Sequence, residues 1–305
     1  MAGEKFQVAN YLERSLLPLR FLCYTQNDML AMPDPIPNFN QCIKKYFPQQ
    51  KIPRQCHFMK VTTLINPDKR TIKNKVTVVR SAPSSNDYRH FIRQTWGSTL
   101  QNDIPVIFVL GTTPEIDVRS EAAIYHDILQ FDFNDSYYNL TLKMVSIYNY
   151  FLKEYPSVDN IIVLNDDTIV NSTAIKMVTF SINGSLSIIG KVSRGYPRLF
   201  LNWLPWYISS EMYPNMCYPP FIQGSSFIIG RRAAERILDQ ICNFPLFHLD
   251  DVFTGILAHC LGIKLEHAIG FDQPTIDSFI VFHYQWSRYS TQKLSSLWNL
   301  VKYQI

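Results

Sequence analysis

The chain has 305 residues, 47% of them hydrophobic, which supplies the core of one large α/β domain or two smaller ones and excludes a disordered chain. Its net charge of +4 arises from 29 Lys and Arg against 25 Asp and Glu, interspersed without a long basic block, so nucleic-acid binding is not expected. Aromatic residues reach 14%, a content that serves either core packing or stacking against sugars and bases.

Residues 1–55 are broken by Pro33, Pro35, Pro37, Pro48 and Pro53 and are predicted to form a stem or linker ahead of a folded unit over 56–305. No run of eighteen apolar residues is present, and the nearest approach, residues 15–24, is interrupted by Pro18 and Arg20. The β-branched run Val76–Val79 predicts a strand, followed by a turn over Arg80-Ser-Ala-Pro83 and a helix over Tyr88–Trp96 closed by Gly97. Strands are predicted over Pro105–Gly111 and Ile128–Phe133, and Leu140–Glu154 carries apolar residues at helical spacing. Ile161–Leu164 is continuously apolar and β-branched, as in a strand buried on both faces of a mostly parallel sheet, and it delivers Asp166 and Asp167 at its carboxyl end.

A short helix over Thr173–Phe180 comes next, then an aromatic, proline-rich stretch over Gly195–Pro220 without clean periodicity, expected to be a long acceptor-facing loop with short strands. Phe221–Gly230 predicts a strand in which Gly224 either admits close backbone approach or marks a bulge. A helix over Arg231–Cys242 follows. The spacing of Val252, Phe253, Ile256, Leu257 and Cys260 then places Asp250 and Asp251 at a helix N-terminus. This alternation predicts one mixed sheet flanked by helices.

An acidic pair beyond a central strand serves either as ligands of a hard cation or as turn and cap residues. A pair at a helix start serves either proton abstraction or the helix dipole. The six cysteines contain no C-x-x-C pair, which disfavours a zinc site. Glycosylation triplets at Asn134, Asn139, Asn171 and Asn183 are consistent with a secretory lumen, where some cysteines pair.

In order along the chain, Ser81-Ala-Pro, Arg89 with Ile92-Arg-Gln-Thr-Trp-Gly97, Asp132–Lys143, Asn165-Asp-Asp167, Tyr218–Gly224, Asp250-Asp-Val-Phe-Thr-Gly255 and His283 resemble the blocks of the inverting β1,3-glycosyltransferases of glycosyltransferase family 31. The resemblance spans roughly residues 75–300. It implies a GT-A type nucleotide-sugar-binding fold, a UDP-galactose or UDP-N-acetylglucosamine donor, a Mn²⁺ ion bridging the diphosphate, and a glycoprotein or glycolipid acceptor in the Golgi. Residues 56–305 would be its catalytic domain.

By the same carry-over Asp167 and His283 are the metal ligands, Asp166 meets the ribose or metal-bound water, and Asp251 is the catalytic base. Asp250 orients the acceptor or caps its helix. Ser81, Arg89, Arg93 and Lys143 are expected near the nucleotide or diphosphate, with Arg93 and Lys143 alternatively holding structure through buried pairs. Trp203 and Trp206 are an acceptor platform or core. Two departures stand out. Asn165 replaces the first aspartate of the family's triplet, which opens the alternative of an inactive carbohydrate-binding relative, and Ile222 replaces a cysteine frequent in its block. Family members carry an N-terminal membrane anchor, so one is expected of the protein although none is visible in this sequence.

Overall fold

A computed structural model describes residues 20–23, 38–49, 56, 60–68, 72–180, 182 and 185–303. Pro33, Pro35, Pro37, Pro53 and Asn183 lie outside the described residues. In chain order the elements are α1 (Phe39–Tyr46), β1 (Thr63–Ile65), β2 (Lys75–Arg80), α2 (Asn86–Gln94), α3 (Trp96–Gln101), β3 (Val106–Thr112), α4 (Arg119–Tyr125), β4 (Ile128–Asn134) and α5 (Leu140–Glu154). They continue with β5 (Asn160–Asn165), β6 (Ile169–Val170), α6 (Ser172–Phe180), β7 (Ser187–Ser193), β8 (Phe221–Gly230), α7 (Arg231–Gln240), α8 (Asp250–Leu261), β9 (Lys264–His267), β10 (Val281–Phe282) and α9 (Thr291–Val301).

Among the described residues one eight-stranded sheet runs β1-β4-β3-β2-β5-β8-β7-β9, and β10 pairs with β6 in a separate ribbon. The pairs β2/β3, β3/β4, β2/β5 and β7/β9 are parallel, while β1/β4, β5/β8 and β7/β8 are antiparallel. The expected mixed, mostly parallel sheet flanked by helices is therefore what the chain builds. Val76, Val78, Val79 and Ile161–Leu164 are buried because helices cover both faces of the central strands, which is why these runs show no alternation.

The predicted elements form in their predicted order, and the structure adds α1, β1, β7, β9, β10 and α9. The helix expected to close at Gly97 ends at Gln94, because Thr95 leaves helical geometry (φ −123°, ψ −126°), and α3 restarts at Trp96. The indole of Trp96 is fully buried and donates to the carbonyl of Thr168 at 2.9 Å, so packing rather than a glycine stop sets this corner.

Within the region assigned to a stem, α1 is part of the core. Cys42, Ile43, Tyr46 and Phe47 are buried, and Phe47 meets Phe247 and Phe253 edge to face. All six cysteines pair, as Cys23–Cys217, Cys42–Cys260 and Cys56–Cys242. The absence of cysteine at position 222 is thus no loss of a staple. Among the described residues no helix is long and apolar enough to cross a membrane.

Candidate active site

The register of the sheet gathers the expected residues at one edge. β2 and β5 run parallel with Arg80 opposite Asn165, so Ser81 and the Asp166–Asp167 pair emerge side by side at the carboxyl end. β8 runs back against β5 with Ser226 opposite Leu164, which sets Gly224 and Ser225 just beyond that edge. β10 pairs antiparallel with β6, Phe282 opposite Ile169, and the next residue in this register is His283. Two short strands with little pairing of their own thereby bring a histidine from near the C-terminus to the first acidic motif.

His283 donates through Nδ1 to Asp272 Oδ1 at 2.7 Å, and its Nε2 lies 3.7 Å from Asp167 Oδ1. Burial alone would depress the imidazole pKa, but the hydrogen bond to Asp272 and the charge of Asp167 raise it, as befits a ring held between two carboxylates. Asp272 is itself buried and accepts from Ser225 Oγ and Gln285 Nε2, each at 2.6 Å. Burial pushes its pKa up, and the hydrogen bond and charge of His283 overcome this and hold it below the usual value. A carboxylate that fixes one ring nitrogen and turns the other toward a second carboxylate is the outer-shell pattern of metal-ligating histidines.

Among the described residues no three His, Cys, Asp or Glu side chains gather as a complete metal cage. The Asp167 carboxylate and the His283 Nε2, 3.7 Å apart, are a pair of donor atoms that suits a cation completed by other oxygens and water. Asp272 gave no sequence signal beyond the neighbouring Gly270, because its role depends on a partner eleven residues away in a separate ribbon.

The second acidic motif is tied to the first by Arg80. This buried guanidinium donates to Asn165 Oδ1 at 2.7 Å, to the carbonyl of Gly224 and to Asp250 Oδ2. The Asn165 amide therefore serves the arginine rather than the Asp167–His283 pair. Asp250 anchors Arg80, and among the described residues no basic side chain is hydrogen-bonded to Asp251. Asp251 is partly accessible, its Oδ1 accepts from the backbone N–H of Val252 at 2.7 Å, and burial followed by the charge of Asp250 pushes its pKa up to about 7. Gly224 opens onto the pair: a Cβ there would sit 3.4 Å from Asp251 Cβ. Gly255 sets the height of α8, since a Cβ would fall 2.6 Å from the Pro220 carbonyl oxygen and 2.7 Å from Phe221 Cβ.

Three cations expected near the donor, Arg89, Arg93 and Lys143, have protein partners, which for Arg93 and Lys143 is the buried-pair alternative. Arg89 is fully buried, and its guanidinium is occupied by Glu121, Ser81 Oγ and the carbonyls of Ala82 and Pro83. Arg93 pairs with Asp127 and Glu121, each at 2.8 Å. Lys143 Nζ is bound to the Ser81 carbonyl at 2.9 Å and to Asp135 at 2.8 Å. Arg89 and Lys143 thereby shape the turn over residues 81–83 from behind, while Arg93 is held apart from it by its two carboxylates. Ser81 does reach the site, donating through Oγ to Asp166 Oδ2 at 2.8 Å. Burial raises the pKa of Asp166, against the charge of Arg288, whose Nη2 lies 2.6 Å from Asp166 Oδ1.

Trp203 and Trp206 are 64% and 48% exposed, so core packing is not their role. Their loop is linked to a second aromatic group by His248, whose Nε2 is 3.2 Å from the Pro205 carbonyl and whose ring lies 5.2 Å from that of Tyr138. Tyr138 in turn meets Tyr137 edge to face. Two residues after His248 comes the Asp250–Asp251 pair, so the aromatic ledge borders the second acidic motif.

Two acidic motifs, one facing a histidine and one at a helix start, thus meet at the carboxyl end of the central strands of an α/β sheet. A family model described as Galactosyltransferase matches residues 87–268. That is more than half of the chain, and the protein belongs to this galactosyltransferase family. It is 31% identical over 215 residues to "Lactosylceramide 1,3-N-acetyl-beta-D-glucosaminyltransferase B" of Xenopus laevis, covering 63% of this chain and 56% of that protein. It is also 31% identical over 205 residues to "Beta-1,3-galactosyltransferase brn" of Drosophila melanogaster, covering 64% of this chain and 62% of that protein. The chain thus spans little more than half the length of the curated relatives it matches. Among solved structures, the galactosyltransferase LgtC is similar, with a TM-score of 0.40 and 11% identity over 73% of this chain and 95% of that one.

Proposed function

We propose that the protein is an inverting hexosyltransferase that moves galactose or N-acetylglucosamine from a UDP-sugar to a glycan acceptor in β1,3 linkage on a GT-A type scaffold. The observation that carries this is the Arg80 guanidinium, which touches Asn165, directly before the first acidic motif, and Asp250, the first residue of the second, and so ties the two motifs together. A site that must hold a leaving diphosphate and deprotonate an acceptor hydroxyl needs both motifs in fixed relation.

Asp251 takes the proton of the acceptor hydroxyl. The freed oxygen attacks the anomeric carbon from the face opposite the diphosphate, the carbon–oxygen bond to UDP breaks, and its electron pair leaves on the phosphate. One displacement inverts the configuration. A base whose pKa lies near 7 suits this task because it is substantially ionised near neutrality yet basic enough to hold the proton. Asp167 and His283 would hold Mn²⁺, which when bound neutralises charge developing on the diphosphate. Asp166 meets the ribose. Trp203 and Trp206, with Tyr137, Tyr138 and His248, offer the acceptor sugar aromatic faces.

Asn165 supports turnover in this reading, because its amide oxygen holds Arg80 and the missing charge falls outside the Asp167–His283 pair. Residues 56–305 form the catalytic unit, and the described parts of the N-terminal region, tied to it through Cys23 and Cys42, act as its brace. The acceptor is carried on a glycolipid or glycoprotein in the Golgi lumen, in keeping with paired cysteines and the glycosylation triplets.

The test is UDP release by purified protein across a panel of UDP-sugars and simple acceptors, with Mn²⁺ and with chelator. Acceptor-stimulated, chelator-sensitive release from one donor is the expected result. Glycan binding without release from any donor would instead favour the inactive relative.

A further inference from the structure

A diphosphate leaving group approaching Asp166 and Asp167 meets two carboxylates, and it needs a protein cation as well as any metal. The cations that the sequence pattern offered are occupied: Arg89 and Lys143 by the turn behind the site, Arg93 by Glu121 and Asp127. Arg288, five residues beyond His283, is placed differently. Its Nη2 donates to Asp166 Oδ1 at 2.6 Å and to Ser85 Oγ at 3.1 Å, and its guanidinium lies over the Tyr88 ring, 3.9 Å from the centroid. The side chain is 45% exposed, and among the described residues no protein acceptor is bonded to its Nε or Nη1.

The segment carrying it is held in place. Tyr88 donates to the Tyr289 carbonyl at 2.8 Å, and the rings of Tyr284 and Tyr289 stack at 4.5 Å. A guanidinium fixed on one side by a carboxylate and an aromatic face has lost most of its rotamer freedom before a ligand arrives, so little remains to be lost on binding.

We propose that Arg288 binds the diphosphate of the nucleotide donor: Nη2 stays on Asp166, and the open N–H groups take phosphate oxygens beside the acidic pair. Planar, charge-assisted donors of this kind are the side chain's strongest mode of anion recognition. This rests on the UDP-sugar reading above and adds the residue that meets the leaving group.

The experiment is calorimetric titration of the purified full chain with UDP and with UMP, with and without Mn²⁺, for wild type, Arg288→Met and Arg288→Lys. A double variant, Asp166→Asn with Arg288→Met, removes the ion pair without stranding a buried carboxylate. Thermal melting of each variant reports its folding. The expected result is a roughly ten- to hundredfold weaker UDP dissociation constant in Arg288→Met, a smaller loss for UMP, and partial recovery in Arg288→Lys. Equal weakening for UDP and UMP, or UDP affinity unchanged in both the single and the double Met variants, would overturn the proposal and make Arg288 a latch on Asp166. In that case wild-type UDP binding remains and the transferase reading stands. Wild-type protein that binds no UDP under either metal condition would overturn both.

Discussion

Replacing Asp251 by Asn should remove transfer and stabilise the fold, and the two effects have one physical source. The carboxyl group titrates near 7 rather than at the ordinary 3.8, because burial and the charge of Asp250 disfavour its ionised form. Between those values the native chain holds a proton that the unfolded chain has released, so stability from this group falls as pH rises through the window. Keeping the group ionised well above pH 7 costs at most ~4 kcal/mol, the free-energy equivalent of that displacement. Solvent reaching the partly accessible carboxylate reduces this to roughly 1–3 kcal/mol. An amide of the same shape avoids the cost and still accepts from the N–H of Val252.

Denaturant unfolding of wild type and Asp251→Asn at about pH 8.5 should therefore favour the variant by roughly 1–3 kcal/mol, with the gain fading near pH 4 as the wild-type carboxyl protonates in both states. UDP release with acceptor should fall by at least 10²–10⁴-fold in the same protein, the usual worth of a general base. A variant less stable than wild type at high pH, or one retaining substantial transfer, would refute the assignment of Asp251 as a strained base.

Asp250→Asn removes the neighbouring charge while leaving an amide oxygen for Arg80, so the pKa of Asp251 should drop and the acidic limb of the pH–rate profile should move downward by on the order of one unit. A limb unmoved or displaced upward would show that the two carboxylates do not interact. Gly255→Ala should cost about 1–3 kcal/mol by denaturant unfolding and lower kcat, since its methyl group meets the Pro220 carbonyl and lifts α8, with Asp251, off β8. Trp203→Ala and Trp206→Ala should each leave stability within about 0.5 kcal/mol and UDP binding unchanged while raising the acceptor KM, because both indoles are exposed on the loop beside His248.

Much of this site was legible in the sequence because its chemistry is carried by strand and helix ends. The apolar run before Asp166 and the helical spacing behind Asp250 locate both motifs, and α5 spans the Leu140–Glu154 predicted from its periodicity. What escaped depends on contacts between distant parts of the chain. Arg80 looked like the first residue of a turn, yet its partner Asp250 is 170 residues away. Its position at the end of a central strand, next to the matched Ser81 block, was the available signal. Arg89, Arg93 and Lys143 carried the right charge for a diphosphate, but periodicity says nothing about which carboxylate a buried cation meets. Asp272 and Arg288 sit near the short β10, where two residues of pairing leave no pattern to read.

The three disulfides bear on how the protein is made as much as on how it is held. Each joins a cysteine among the first 56 residues to one beyond residue 216, across 186 to 218 positions. During synthesis the three early thiols must wait for their partners for roughly 10–40 s at ordinary elongation rates. In an oxidising compartment they are free in that interval to pair with one another, so correct closure depends on thiol–disulfide exchange after the second half has folded. Once closed, the links turn the molecule into a loop: a protease cut anywhere between residues 57 and 216 leaves both fragments covalently joined until a reductant separates them.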